Sequence, residues 1–211
     1  MGNSHWSFED SDIADTFDDH VRTQLPWYDL VTTFITGIIE NYLPASGVLY
    51  DIGASTGNIT KSCGSLLKER DATAISIEAS ERMCKAWNGV GMLQHTDAVG
   101  YDYEPFDVAV CFLTAMFMSV SQRRIFFNNL HKAKKDGGVI VLVDKFCDWE
   151  GYEGTVFRRI TMLFKLENGQ TPEQVLEKEL SLAGVQRPMT KNEIDTSVQF
   201  FQMGEFRGYL L

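Results

Sequence analysis

Apolar positions along the chain repeat with two different spacings, which separates predicted helices from predicted strands. Helical spacing over residues 29–43 predicts a first helix, which Pro44 and Gly47 end. From there, β-rich apolar runs alternate with amphipathic stretches, as in a doubly wound parallel sheet. The predicted strands are Val48–Ile52, Ala74–Glu78, Gly91–Asp97, Phe106–Phe112 and Val139–Val143. The predicted helices between them cover 58–68, 80–87 and 121–135, the last ended by Asp136-Gly137-Gly138.

The last sixty residues follow a different pattern. Helical spacing covers 154–164, and Thr171-Pro-Glu-Gln174 is a capping box that opens another helix. Residues 197–204 and 206–211 then predict two strands around a tight Gly-Glu turn. The predicted fold is therefore α/β: a Rossmann-like, doubly wound, mostly parallel sheet with a C-terminal antiparallel hairpin. A dinucleotide-binding domain would continue with another crossover helix instead.

The loop after the first strand is rich in glycine and lies where an α/β domain binds nucleotide-like ligands. It runs Asp51-Ile-Gly53-Ala-Ser55-Thr-Gly57-Asn58. A dinucleotide fingerprint needs glycine at its first, third and sixth positions, and only Gly53 satisfies it, because Ser55 and Asn58 occupy the other two. A nicotinamide-dependent dehydrogenase is therefore the least favoured function.

The next strand ends carry acidic residues, and ligands bind at this edge of an open sheet. Glu78 can accept hydrogen bonds from ribose hydroxyls, or it can simply favour the dipole of the next helix. Asp97 can accept from an adenine amine, with the backbone of Ala98 against the ring, or it can only form a turn. For each acid considered alone, the sequence does not distinguish the ligand-binding role from the structural one. Taken together in their order along the sheet, the residues at the strand ends match the chemical groups of one adenosine-containing ligand.

With its acid, alternate glycines and small central residue, the loop resembles the first motif of class I S-adenosylmethionine-dependent methyltransferases. Within that class the chain is most similar to the group of carboxy-S-adenosylmethionine synthases and tRNA uridine-5-oxyacetic acid methyltransferases. The segments 17–28, 123–145 and 198–208 carry this narrower resemblance. It covers nearly the whole chain and implies a single domain over 1–211, with residues 1–28 as an N-terminal lid or arm.

The resemblance implies S-adenosyl-L-methionine as the cofactor, with Tyr28 reaching its carboxylate. The cofactor-binding residues that we predict are Tyr28, Asp51, Gly53, Ala54, Ser55, Gly57, Glu78, Ala79, Met83, Asp97, Ala98, Cys111 and Phe112. Two departures count against the synthase reaction. The first is Cys111, which stands where the synthases carry an asparagine. The second is the helix before the hairpin, which is shortened to 190–195 and has no arginine, whereas the synthase reaction requires an additional carboxylate to be bound there.

No catalytic residue can be assigned from the sequence. Methyl transfer from a sulfonium is an in-line displacement that positioning alone can accelerate strongly, and a base is needed only if the acceptor loses a proton. His20, Tyr28 and Lys145 are weak candidates at the mouth of the site, with a surface role favoured for His20 and an ion pair open for Lys145. We expect His95 to pack within the third strand.

Three functions remain at this point. The first is methyl transfer to a small or medium-sized acceptor. The second is a carboxy-S-adenosylmethionine synthase-like reaction that serves tRNA wobble uridine modification. The third is S-adenosylmethionine binding without catalysis.

The net charge and the spacing of the cysteines limit the partners, metal sites and cellular location that we expect. The net charge of −10 over 211 residues disfavours nucleic acid relative to a small-molecule acceptor. The basic clusters 123–124, 132–135 and 158–159 are expected to be solvated helix faces. Four spaced cysteines without a CxxC pair predict reduced thiols and no metal site. With no apolar run of membrane length and no secretory signal, we expect a cytoplasmic protein without membrane contact, and a homodimer as one candidate assembly.

Overall fold

The computed structural model describes residues 11–194 and 197–211, with side chains from residue 17 onward. The first ten positions of the predicted lid therefore lie outside the described residues. Asp195, at the end of the shortened segment before the hairpin, lies outside them as well.

The described residues form a seven-stranded sheet with the order β3-β2-β1-β4-β5-β7-β6. Strands β1 to β5 pair in parallel, β7 runs antiparallel to β5, and β6 pairs antiparallel to β7. Their bounds are Val48–Ile52, Thr73–Glu78, Met92–His95, Phe106–Phe112, Lys134–Lys145, Val198–Met203 and Phe206–Leu210. The order reverses between β1 and β4, so a crevice opens at their carboxyl ends. The predicted mostly parallel sheet with a terminal hairpin is confirmed.

Helices cover both faces of the sheet. In the described part of the chain they are α1 Ser11–Gln24, α2 Tyr28–Tyr42, α3 Asn58–Ser62, α4 Gly64–Glu69, α5 Glu81–Ala86, α6 Val120–Ala133, α7 Gly151–Glu167 and α8 Pro172–Ser181, with 3-10 turns at Ala115–Phe117 and Lys191–Glu193. One hydrophobic cluster joins α2 and α3 to the sheet, and another joins α6 to its opposite face. The alternating side chains of β4 contribute to both clusters, which is why that strand is apolar from Val108 to Phe112.

Three predicted elements differ clearly from the structure. The helix expected over 58–68 is divided at Cys63 into α3 and α4. Helix α6 ends at Ala133 rather than 135, and β5 begins at Lys134 rather than 139. The cause is an irregular pairing with β4, in which Phe106 is opposite Lys134 but Val108 is opposite Val139. The extra residues are polar and include a positive-φ glycine, so their pattern imitates the end of a helix.

The basic cluster expected on α6 is also partly wrong. Arg123 is 1% exposed and its Nε lies 3.1 Å from Oε2 of Glu193. His95 is exposed at the edge of the sheet rather than packed inside it, and its Nε2 lies 3.2 Å from the carbonyl oxygen of Ala79.

Candidate active site

A cavity of about 480 Å³ lies at the carboxyl ends of the parallel strands. It is the place where an open α/β sheet binds ligands, beside the reversal of strand order. Ten of the predicted cofactor-binding residues line it: Tyr28, Asp51, Gly53, Ala54, Ser55, Glu78, Ala79, Asp97, Ala98 and Phe112. The strand ends chosen from the sequence therefore meet around one space.

The loop after β1 is held in place by the end of β2. The backbone N–H groups of Gly53 and Ala54 both donate to the carbonyl oxygen of Ile77, at 2.8 and 3.0 Å. Ser55 adopts a positive φ of 50°, a conformation that small polar residues tolerate better than bulky ones. Gly53 has a φ of +68°, and a Cβ there would lie 2.5 Å from Cγ2 of Thr114. Glycine at 53 is therefore required both by its backbone conformation and by the space available.

Glu78 connects this loop to the start of α5. Its Oε2 accepts from the N–H of Ser55 and its Oε1 from the N–H of Ser80, both at 2.8 Å. The Ser80 hydroxyl in turn caps α5 by accepting from the N–H of Met83. A carboxylate has about four acceptor positions. Glu78 can therefore hold the loop and still accept from hydroxyls of a ligand in the cavity.

Asp51 is a buried acid that faces the cavity with one oxygen unsatisfied. It is 2% exposed, and its Oδ2 has no hydrogen-bond partner within the described part of the chain. Burial raises the pKa of Asp51 to about 7, and the charge of Glu78 adds to the rise, while a hydrogen bond from the Thr60 backbone opposes it. A buried oxygen of this kind is stabilised by a ligand that brings a hydrogen-bond donor or a positive charge.

Asp97 lies at the far end of the cavity, beyond β3. Its Oδ1 accepts from the backbone N–H of Val99 at 2.8 Å, so it does form the turn that the sequence suggested. Because Asp97 also lines the cavity, its second oxygen remains a candidate acceptor for a ligand. The two roles foreseen for this residue are compatible.

Aromatic and apolar side chains form the opposite wall. Tyr28 stacks on Phe112 with ring centroids 4.9 Å apart and an interplanar angle of 12°. Burial raises the pKa of Tyr28, so the phenol stays neutral and can act as a hydrogen-bond donor. Phe17 and Val21 of α1 complete this wall.

A hydrogen bond joins helix α1 to the loop after β1. The Thr56 hydroxyl donates to Oδ1 of Asp18 at 2.7 Å. The described part of the N-terminal segment thus covers the cavity and contacts the loop that forms its floor.

Five of the predicted site residues do not line the cavity. Gly57 faces residues 87–89, and Met83 is fully buried behind the loop, with its sulfur 3.5 Å from the Ser55 hydroxyl. Cys111 points into the core on the α6 side, because side chains alternate along β4 and Phe112 takes the cavity side.

The other two are candidates for catalysis. His20 is half-buried on α1 beside lysines of α7 and α8; burial and the nearby charges of Lys178 and Lys165 lower its pKa. Lys145 lies 3.7 Å from Glu205 and donates to Gln186 at 3.2 Å. Neither side chain reaches the cavity wall.

Fifteen residues of the wall were not among the predicted cofactor-binding residues, although the sequence of Met116-Phe117-Met118 also allowed a role in a substrate pocket. They are Phe17, Val21, Thr56, Asn58, Ile59, Ile77, Ser80, Thr96, Val99, Leu113, Thr114, Phe117, Met118, Gln122 and Val185. Several follow β4 directly, where the chain turns through a positive φ of 59° at Leu113 and then forms the 3-10 turn. A loop after a parallel strand is itself a signal for ligand contact, but the predicted cofactor-binding residues ended at Phe112, before Leu113 and Thr114.

The charged groups of the cavity wall are acids. Within the described residues, no group of three or more His, Cys, Asp or Glu side chains is arranged to hold a metal ion. In the same part of the chain, no helix is both long and apolar enough to cross a membrane.

Comparison with known proteins gives a consistent set of similarities. Residues 50–142 match the family model described as a methyltransferase domain. The carboxy-S-adenosyl-L-methionine synthase of Staphylococcus epidermidis is 28% identical over 190 residues, which cover 88% of this chain and 83% of that protein.

Two solved structures share the fold. One is the plantazolicin methyltransferase in complex with SAH, with a TM-score of 0.60, 16% identity, and coverage of 90% of this chain and 69% of that one. The other is the magnesium protoporphyrin IX methyltransferase from Synechocystis with bound SAH, with a TM-score of 0.55, 13% identity, and coverage of 87% and 81%.

Proposed function

We propose that this chain binds S-adenosylmethionine and transfers the cofactor's methyl group to a small or medium-sized acceptor. Residues 50–142 match a methyltransferase domain model, and the chain shares its fold with class I S-adenosylmethionine-dependent methyltransferases. The observation that carries the proposal is the unsatisfied, buried Asp51 oxygen facing a cavity whose other acids stand at adjacent strand ends.

The residues of the wall fit the parts of this cofactor. Asp51 meets the ammonium group of the methionine portion, which supplies both the donors and the charge that its buried carboxyl lacks. Glu78 accepts from the ribose hydroxyls and Asp97 from the adenine amine. The small residues Gly53 and Ala54 leave the backbone open to the methionine portion.

The cofactor, when bound, supplies an activated methyl group. The protein's contribution is then mainly to position the acceptor, since alignment of the reacting atoms can account for several orders of magnitude in rate. The stacked Tyr28 and Phe112 rings form a rigid wall, and α1 covers the site against water. Among His20, Tyr28 and Lys145, the candidates for a base or proton donor, Tyr28 lines the cavity, and we propose it as the residue nearest the acceptor.

Calorimetric titration with S-adenosylhomocysteine tests the assignment. Glu78→Gln replaces one acceptor oxygen by an amide group, so it breaks a hydrogen bond to the loop or to Ser80 and removes an acceptor for the ribose. We expect the affinity to fall at least about tenfold, consistent with one charge-assisted hydrogen bond of about 1.5–3 kcal/mol. Glu81→Gln is the matched control, because Glu81 is an exposed residue of α5 paired with Lys85. Equal losses in both variants, or none in either, would contradict the site.

A carboxy-S-adenosylmethionine synthase-like reaction serving tRNA wobble modification is the second candidate. The sequence similarity to synthases over 88% of the chain supports it. The segment 190–195 before the hairpin weighs against it, because it carries no arginine to bind an additional carboxylate. Product analysis separates the two: methyl transfer releases S-adenosylhomocysteine, whereas the synthase needs prephenate and retains a carboxylated cofactor. A protein that binds the cofactor without catalysis would give neither product.

Partners and location belong to the same proposal. A small molecule fits a cavity of about 480 Å³ better than a nucleic acid fits a chain with net charge −10. We place the reaction in the cytoplasm, in agreement with four cysteines that form no disulfide within the described residues. A homodimer remains a candidate assembly, to be tested by light scattering.

A further inference from the structure

A second cavity lies between the start of α7 and the turn of the terminal hairpin. Its volume is about 400 Å³, and Trp149, Met162, Arg158, Arg159 and Glu205 contribute to its wall. None of these residues lines the proposed cofactor site. The arginine pair was one of the basic clusters that the sequence left without a function.

The structure separates this pair from the other basic clusters. Arg123 is buried against Glu193, and Lys135 lies 2.7 Å from Asp107. Arg158 and Arg159 are exposed, and in the part of the chain that the structure describes neither guanidinium forms a hydrogen bond or an ion pair. The guanidinium N–H groups of Arg158 and Arg159 are therefore available to donate hydrogen bonds to a ligand.

Three acids near the second cavity are paired with other cations. Asp148 contacts Arg207 at 2.6 Å, and Glu205 lies 3.7 Å from Lys145. Glu179 of α8 feels the charge of Arg158, but its carboxylate is bonded to Lys165 at 2.8 Å. Arg158 and Arg159 therefore line the cavity without an ion pair within hydrogen-bond distance among the described residues, in a protein whose overall charge is strongly negative.

The rest of the wall is aromatic and apolar. Trp149 is held between neighbours: the Arg207 guanidinium lies 3.8 Å from its ring centroid, and Phe157 stacks on it at 4.4 Å. Because both faces of the indole are covered, Trp149 contributes a fixed ring edge to the cavity wall, and an apolar group can pack against this edge and Met162. Each guanidinium can make bidentate contact with phosphate or carboxylate oxygens, and both arginines contribute to the wall of this cavity.

We propose that this second cavity is a binding site for a small organic oxyanion, a phosphate or carboxylate whose anionic group contacts Arg158 and Arg159 while its apolar part packs on Trp149. The site is separate from the proposed cofactor site and does not depend on the reaction performed there.

Calorimetry with phenyl phosphate tests the proposal, with S-adenosylhomocysteine present throughout to occupy the first cavity. We expect saturable binding at one site per chain and at least tenfold weaker binding to Arg158→Gln/Arg159→Gln. Arg124→Gln, an exposed arginine on α6, should bind as the wild type does. Both arginines of the double variant are exposed, and a thermal melt verifies that it folds.

Three further probes define the chemistry. Benzoate distinguishes a carboxylate ligand from a phosphate ligand, and tighter binding of either supports an oxyanion site. Inorganic phosphate should bind more weakly than phenyl phosphate, because it lacks the ring. Absence of phenyl phosphate binding, unchanged affinity in the double variant, or equally tight binding of neutral phenol would overturn the proposal.

Discussion

The unsatisfied carboxyl of Asp51 makes cofactor affinity depend on pH in a way that one substitution should abolish. In the ligand-free protein the pKa of Asp51 is about 7, raised mainly by burial. A ligand ammonium group binds to the ionised form, so binding is coupled to loss of the proton. Affinity should therefore rise as the pH rises through 7.

The size of the effect follows from that pKa. With a pKa of about 7, roughly a tenth of Asp51 is ionised at pH 6 and about three quarters at pH 7.5. S-adenosylhomocysteine should therefore bind about eightfold more tightly at pH 7.5 than at pH 6, a difference of about 1.2 kcal/mol. Asp51→Asn keeps an oxygen for the Thr60 N–H but cannot ionise. Its affinity should be lower than that of the wild type at pH 7.5 and nearly the same at both pH values.

Isothermal titration in two buffers of different ionisation enthalpy measures both the affinity and the protons released. The wild type should release protons on binding near pH 6.5, and Asp51→Asn should not. Asp144 is an internal control, because its pKa is also raised to about 7 by burial, yet it lies away from the cavity wall and is present in both proteins. If the variant retained the same pH dependence as the wild type, Asp51 would not be the group that meets the ligand's charge.

Two further substitutions test the loop and the buried arginine. Gly53→Ala places a Cβ 2.9 Å from Cβ of Thr114, so the loop must shift. We expect calorimetry to show at least tenfold weaker binding of S-adenosylhomocysteine, while circular dichroism shows that the fold is retained. Arg123→Met removes the cation that forms a buried ion pair with Glu193. Urea denaturation should show a loss of about 3 kcal/mol in the free energy of unfolding. Arg124→Met, at an exposed position, should change that free energy by less than about 0.5 kcal/mol.

Apolar strands were the part of the fold that the sequence predicted best. The predicted bounds of Val48–Ile52 and Phe106–Phe112 match β1 and β4, because central parallel strands are apolar on both faces and end abruptly at turn residues. The start of β5 was missed, since Lys134–Gly138 lies at an irregular pairing and carries the polar and glycine residues of a helix end.

The site was predicted at the level of strand ends but not of side-chain direction. Phe112 and Cys111 are neighbours on β4, and only the structure shows which of them faces the cavity. The burial of Arg123 was missed for a similar reason. Its ion-pair partner Glu193 is seventy residues away in the sequence, in a 3-10 turn that hydrophobic periodicity does not predict.

Native mass spectrometry of the purified chain, incubated with equal concentrations of S-adenosylmethionine and NAD, tests the identity of the cofactor. We expect a single complex whose added mass is that of S-adenosylmethionine or its homocysteine product, and a much smaller fraction of that complex in Gly53→Ala. A complex with NAD, or no complex with either molecule, would contradict S-adenosylmethionine as the cofactor.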